Sequence, residues 1–213
     1  MHIPDGILPV PVTAAGYAAT AAVTWYSVRK INQQENPRRE IPKASLLTAA
    51  FFVVSWIHIP VPPTSVHLVL NGLLGAMLGY FAFPAILIGL FFQAVMFQHG
   101  GLTTLGVNAM IMGFPAIIAY YIFRLRELGN KQSVRKTAIF GFLAGAVAIV
   151  LSVVMFVVIL ISFLPADLDT ATERAAIYTL AIAHLPIMAI EGVITSLVAV
   201  FLQRVRPELL ESV

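Results

Sequence analysis

The hydropathic pattern along the chain is one of long apolar runs separated by short polar breaks. An apolar stretch needs roughly 20 residues to cross about 30 Å of hydrocarbon. Seven candidate segments can be read. The first covers 12–28 and is rich in alanine, with Ala14, Ala15, Ala18, Ala19 and Ala22 allowing close helix approach. A polar loop, 29–43, carries Pro37 and Pro42. The second segment, 44–58, is short, and Ile59-Pro60-Val61-Pro62-Pro63 cannot extend it as a helix. Thr64 or Ser65 is positioned to cap a third segment, 66–81, whose Gly72, Gly75 and Gly79 form a close-packing face. Phe83-Pro84 is read as its break, followed by a short fourth segment, 85–97, and the turn Gln98-His99-Gly100-Gly101. The fifth segment, 102–123, holds Pro115 as a kink; the sixth, 137–163, is the most apolar; the seventh, 174–202, bends near Pro186. The predicted class is therefore all-α, a polytopic membrane bundle of about seven helices forming one domain over residues 1–213. Re-entrant behaviour of the two short segments would change the count without changing its parity.

Composition agrees with this pattern. Of 213 residues, 59% are hydrophobic and 11% charged, against about 25% charged in soluble domains. The chain has no cysteine, which excludes disulfides, thiolate metal sites and cysteine nucleophiles. Charge placement then orients the bundle. Arg29, Lys30, Arg38, Arg39 and Lys43 follow segment one. Arg124, Arg126, Lys131, Arg135 and Lys136 follow segment five, and Arg204 and Arg206 follow segment seven. Seven spans put all of these on one side and leave only Arg174 on the other. Because basic residues accumulate in cytoplasmic loops, the N-terminus is expected outside and the C-terminus inside. No basic region precedes an apolar core at the start, so no cleaved leader is expected and Met1 is read as the mature end.

That N-terminus has chemistry of its own. Met1-His2 places an amine nitrogen, an amide nitrogen and an imidazole in adjacent chelating positions. Amine and amide close a five-membered ring on a metal; amide and Nδ1 close a six-membered one. Near-planar nitrogen sets suit Ni(II) or Cu(II), and also Co(II). Pro4-Asp5-Gly6 then makes a turn, with φ set at Pro4 and positive φ open to Gly6. Residues 1–11 are thus an arm expected to fold into a pocket on the outer side. The competing reading is a chance histidine after a start codon.

In the predicted topology all five histidines, His2, His58, His67, His99 and His184, lie in the outer half. His67, placed at the start of segment three above Asn71, is chosen as a further metal ligand, with Asn71 one turn deeper as a group that fixes its tautomer. His58 and His99 read as interfacial or structural. His184 and Glu191 stand seven apart on one face of segment seven and read as a polar cluster, while Gln93 and Asn108 are suited to hydrogen bonds between helices. Ser65, His99, Asn108, His184 and Glu191 complete the candidate pocket. No His-Glu-x-x-His, Gly-x-Ser-x-Gly or Walker loop is present, so enzyme readings have no support and the chain cannot hydrolyse ATP by the Walker route. The basic loops suit anionic lipid rather than nucleic acid.

Four ordered motifs resemble one family. They are Met1-His2-Ile3-Pro4-Asp5-Gly6, Pro63-Thr64-Ser65-Val66-His67-Leu68, Gly100-Gly101-Leu102-Thr103-Thr104-Leu105-Gly106-Val107-Asn108, and Ala183-His184-Leu185-Pro186 with Glu191-Gly192. Together they resemble the CbiM/NikM family, substrate-capture (S) components of energy-coupling-factor transporters for cobalt and nickel. The resemblance implies seven helices and a substrate metal, Ni(II) or Co(II), held near the outer face. The implied donors are the Met1 amine, the His2 amide and imidazole, and the imidazole at His67. It implies no catalytic cofactor. It also implies separate partner chains: a transmembrane coupling subunit, ATP-binding cassette ATPase subunits and often a small accessory membrane protein. The rival classes are a self-sufficient metal channel or secondary transporter, which calls for polar groups at the midplane and inverted repeats, and a haem-binding redox protein with facing histidine pairs.

Overall fold

The computed structural model describes residues 2–61, 64–128, 133–163 and 170–211. Eight α-helices are present among them: α1 Val10–Asn32, α2 Ile41–Val54, α3 Asn71–Leu78, α4 Ala82–Phe97, α5 Leu105–Arg124, α6 Val134–Ser162, α7 Thr170–Val205 and the short α8 Glu208–Glu211. A two-stranded antiparallel hairpin, β1 His58–Val61 and β2 Thr64–His67, stands between α2 and α3. Four stretches are long and apolar enough to cross a membrane by length and composition: Asn71–Phe97, Leu105–Glu127, Val134–Ser162 and Ala171–Val205. The first of these comprises both α3 and α4.

Packing sets the direction of each pass. Helix α1 runs alongside α5, with Gly16 and Tyr17 against Val107 and Gly106 at one end and Tyr26 near the Tyr80, Tyr120 and Tyr121 rings at the other. Cβ atoms at Gly16 or Gly106 would collide with the opposite helix, so glycine permits this crossing. Helix α3 is parallel to α5, with Asn71 bonded to Met112 and Gly75 against Ala116. Helices α6 and α7 are antiparallel, pairing Gly141 with Ser196 and Gly145 with Glu191. The arm and the hairpin lie at one end of the bundle. At the opposite end Lys43 Nζ donates to the Leu209 carbonyl (2.9 Å) and Arg126 to that of Leu210 (2.9 Å), clipping down α8.

Several expected boundaries move, each for a local reason. Segment two ends at Val54, and the Pro-rich stretch after it pairs as a hairpin instead of an unpaired break. Residues 66–81, expected as one helix, divide into β2, a loop, α3 and a 3-10 turn at Gly79–Phe81. Leu70 (φ 55°) stands in the left-handed region, which a helix cannot include. The break expected at Phe83-Pro84 occurs at Gly79, φ 56°. Pro84 instead occupies the first turn of α4, where its missing N–H costs nothing. Pro115 and Pro186 lie inside continuous helices.

The eight residues of α3 are all buried, which makes it the central element of the bundle. By contrast α7 exposes Tyr178, Ile182, Leu185, Ile190, Val193, Leu197 and Phe201, an apolar stripe suited to lipid.

Candidate metal centre

The N-terminal arm is held along the start of α5 by its own backbone. Ile3 is fully buried. Its N–H donates to Asn108 Oδ1 (2.9 Å), and its carbonyl accepts from Asn108 Nδ2 (3.0 Å) and Thr104 Oγ1 (2.6 Å). One carboxamide thus pairs both backbone groups of Ile3, as a neighbouring strand would. Gly6 takes φ 84° and completes the turn after Pro4-Asp5. The Asp5 carboxylate accepts from Thr103 N (2.9 Å), Thr103 Oγ1 (2.5 Å) and Leu102 N (3.2 Å). The Thr103 hydroxyl in particular holds the Asp5 carboxyl below its usual range. Gly101 leaves room for this contact, since a Cβ there would overlap the Asp5 carboxylate.

So anchored, the arm delivers His2 to a point where three segments meet. His2 Nε2 lies 2.9 Å from Gln93 Oε1 on α4. Gln93 Nε2 donates to Ser55 Oγ (2.9 Å), and Ser55 Oγ donates to the Phe52 carbonyl (2.7 Å). This chain orients the carboxamide with its oxygen towards His2. An amide oxygen only accepts, so Nε2 carries the ring proton and Nδ1 keeps its lone pair. Among the described residues His2 Nδ1 is shielded from solvent and has no hydrogen-bond partner. Burial, with His99 and His67 adding to it, lowers the His2 pKa well below the ordinary 6.5, favouring the neutral ring that a metal requires.

His67 ends β2 and is buried. Its Nδ1 donates to the Leu68 carbonyl (2.9 Å), leaving the Nε2 lone pair, which faces His99 Nε2 at 3.4 Å. His99 follows the C-terminus of α4, and its N–H donates to the Gln93 carbonyl (3.2 Å). Donor atoms of His2, His67 and His99 all lie within 4.8 Å of one another. Ring centroids are 4.1 Å apart for His2 and His99, 5.3 Å for His2 and His67, and 5.2 Å for His67 and His99.

The remaining candidates are distributed as follows. Met1 lies outside the described residues, as do the side chains of His58 and Ser65; the backbone register sets His58 opposite His67. His67 stands in a strand and not at a helix start, so Asn71 does not reach its ring. The Leu68 carbonyl selects the tautomer instead, and Asn71 donates to Met112 O (3.0 Å) and Ser152 Oγ (2.9 Å) inside the bundle. His184 and Glu191 have separate partners. His184 Nδ1 donates to the Leu180 carbonyl (2.7 Å). Glu191, fully buried, accepts from the N–H of Val69 and from that of Leu70 (2.8 and 2.9 Å to its two oxygens). From α7 it thereby holds the backbone just ahead of α3 and steadies the loop that carries His67. His99, read as interfacial from its turn, belongs to the imidazole cluster. Gln93 is the buried link that pattern reading left as a generic interhelical contact; its signal was a lone amide in an apolar run, six residues before His99.

The chain as a whole is similar to known metal transport proteins. A family profile described as the CbiM cobalt uptake substrate-specific transmembrane region matches residues 2–209. A protein of Haemophilus influenzae named for metal transport is 33% identical, the alignment covering 99% of this chain and 97% of that one. A Methanococcus voltae protein named for cobalt transport, CbiM, is 33% identical over 100% of this chain and 96% of its own length. The fused nickel transport protein NikMN of Rhodobacter capsulatus is 31% identical over 99% of this chain, which spans 64% of that longer protein. Among solved structures, a transition metal transporter superposes with a TM-score of 0.75 at 28% identity, covering 96% of this chain and 93% of the other.

Proposed function

Because the chain belongs to the CbiM family of cobalt and nickel uptake proteins, as a substrate-specific membrane component, we propose that its N-terminal arm is the metal-binding device. The Met1 amine, the His2 amide nitrogen and His2 Nδ1 supply three donors, and His67 Nε2 supplies the fourth. The observation that carries it is His2 Nδ1: a buried, unpartnered lone pair, on a ring that a hydrogen-bond chain through Gln93 and Ser55 holds beside His67. A buried polar atom without a partner is costly unless something else satisfies it. A Ni(II) or Co(II) ion does so here.

The arm end faces the outside, in keeping with the basic residues at the opposite end, and the protein captures its ion there. Transport is then driven by partner chains: a transmembrane coupling subunit and ATP-binding cassette ATPases, with a small accessory membrane subunit. Metal binding releases protons, the amide proton among them, so affinity falls with falling pH.

Adding one residue ahead of Met1 tests the ligand set. The extension destroys the amine–amide–imidazole chelate while every side chain stays in place. Nickel affinity is expected to collapse, and unchanged affinity would refute the assignment. His67→Ala is the companion variant, expected to abolish tight binding while the thermal unfolding of the purified protein stays as before. Uptake by the isolated chain in ATP-free liposomes would count against partner-driven transport.

A further inference from the structure

The ligand set above leaves out one imidazole of the cluster. We propose that His99 is itself a metal-contacting residue: with His2 and His67 it forms a three-imidazole site for a divalent ion of tetrahedral preference, Co(II) or Zn(II), without the amine and amide nitrogens of the N-terminus. The inference rests on the reading of this pocket as the uptake site, but differs from it in donors and in metal geometry.

Spacing is the first argument. Two imidazole nitrogens bound at about 2.0–2.1 Å to one ion are roughly 3.4 Å apart at a tetrahedral angle and roughly 2.9 Å apart at the right angle of a square plane. His67 Nε2 and His99 Nε2 stand 3.4 Å apart. The donors of all three histidines already lie within 4.8 Å. Closing that spread takes rotation of the rings about their side-chain bonds as the ion binds. Three histidines and a water molecule are a set that Zn(II) adopts readily.

Placement is the second argument. His99 is not on a swinging loop. Gln98 takes φ 54° and Gly100 φ 87°, which turn the chain sharply at the end of α4. The His99 N–H is bonded to the carbonyl of Gln93, the residue whose side chain holds His2. A carbonyl-rich helix C-terminus also favours a cation. Beside it opens a cavity of about 200 Å³ lined by Ser55, Trp56, Phe97 and His99. Of the three imidazoles, His99 is the one that lines this cavity, so an ion arriving that way meets His99 first. Binding exchanges water ligands for neutral imidazoles. It needs no amide deprotonation, which makes the three-histidine site a natural point of first capture before transfer to the N-terminal chelate.

The test is a Co(II) titration of the purified full-length chain, followed by visible d–d absorption, with Ni(II) titrated in parallel. Four proteins are compared: the unaltered chain, the chain with one residue added ahead of Met1, His99→Ala, and the two changes combined. The extended chain is expected to lose planar Ni(II) absorption yet keep Co(II) binding with the intense bands of a tetrahedral site, displaced by Zn(II). Adding His99→Ala should remove those bands, while His99→Ala alone leaves the planar Ni(II) spectrum intact. His99→Asn, which retains a polar side chain, and thermal melts of each variant separate ligand loss from misfolding. Absence of Co(II) bands in the extended chain overturns the proposal. So does their persistence in folded His99 variants. Unchanged Ni(II) affinity in the extended chain would instead sink the N-terminal chelate and leave the three-imidazole site standing.

Discussion

The docking of the arm depends on Asn108, and its removal has a calculable effect. In Asn108→Ala the Ile3 carbonyl keeps Thr104 Oγ1 at 2.6 Å, but the Ile3 N–H loses the acceptor it had at 2.9 Å. Ile3 is fully buried, so that N–H is left unsatisfied. The cost of such a group is about 1–3 kcal/mol, and about 2 kcal/mol corresponds to a factor of about 30 in an equilibrium constant. The arm's opening equilibrium should therefore rise about 30-fold in the metal-free protein. Hydrogen exchange of the N-terminal peptide, read by mass spectrometry, measures this directly, with a peptide from α7 as internal control. Metal affinity should fall by no more than the same factor. Undocking lowers apparent affinity only by the fraction of molecules whose arm is out of place. Two results would refute the reasoning. One is an arm that exchanges no faster than before. The other is an affinity loss well beyond the gain in exchange, which would mean that Asn108 acts on the metal and not on the arm.

Gln93→Leu removes the acceptor that sets the His2 tautomer, and it should weaken metal binding by about 10–100-fold, the usual cost of losing a group that orients a ligand; Gln93→Glu, which keeps an acceptor, should recover most of it in a metal titration. Gly101→Ala drives a Cβ into the Asp5 carboxylate, so the arm should lose its exchange protection while the helical circular dichroism is retained. Asp5 supplies the pH test. Its folded pKa is depressed, so its contribution is complete above the unfolded value of about 4 and is lost only as pH falls through the lower folded value. The difference in arm protection between Asp5→Ala and the unaltered chain should stay constant from neutral pH to about 4 and shrink below it; a difference that shrinks between pH 8 and 6 would be inconsistent with this carboxylate acting as described.

Much about this protein is written along the chain. Hydropathy is a local property, so apolar runs announce membrane helices without reference to their neighbours. The chelating order of amine, amide and imidazole is covalent, so it is visible in Met1-His2 before any fold is considered. The crowding of basic residues towards one end follows from segment parity alone. Tertiary structure decided what distant residues do to one another. Asn108 meets Ile3 across 105 positions, Gln93 meets His2 across 91, and Glu191 meets Leu70 across 121. None of these pairs has a spacing that periodicity can detect. His67 looked like the start of a helix because Thr64 or Ser65, after the Pro-rich break, could cap one; pairing with β1 made it the end of a strand and gave its tautomer to the Leu68 carbonyl. His99 looked interfacial because it lies in a turn. Only the packing of α4 beside the arm and the hairpin brings its ring to the other two, since a histidine becomes a possible ligand through the donors around it and not through its own position in the chain.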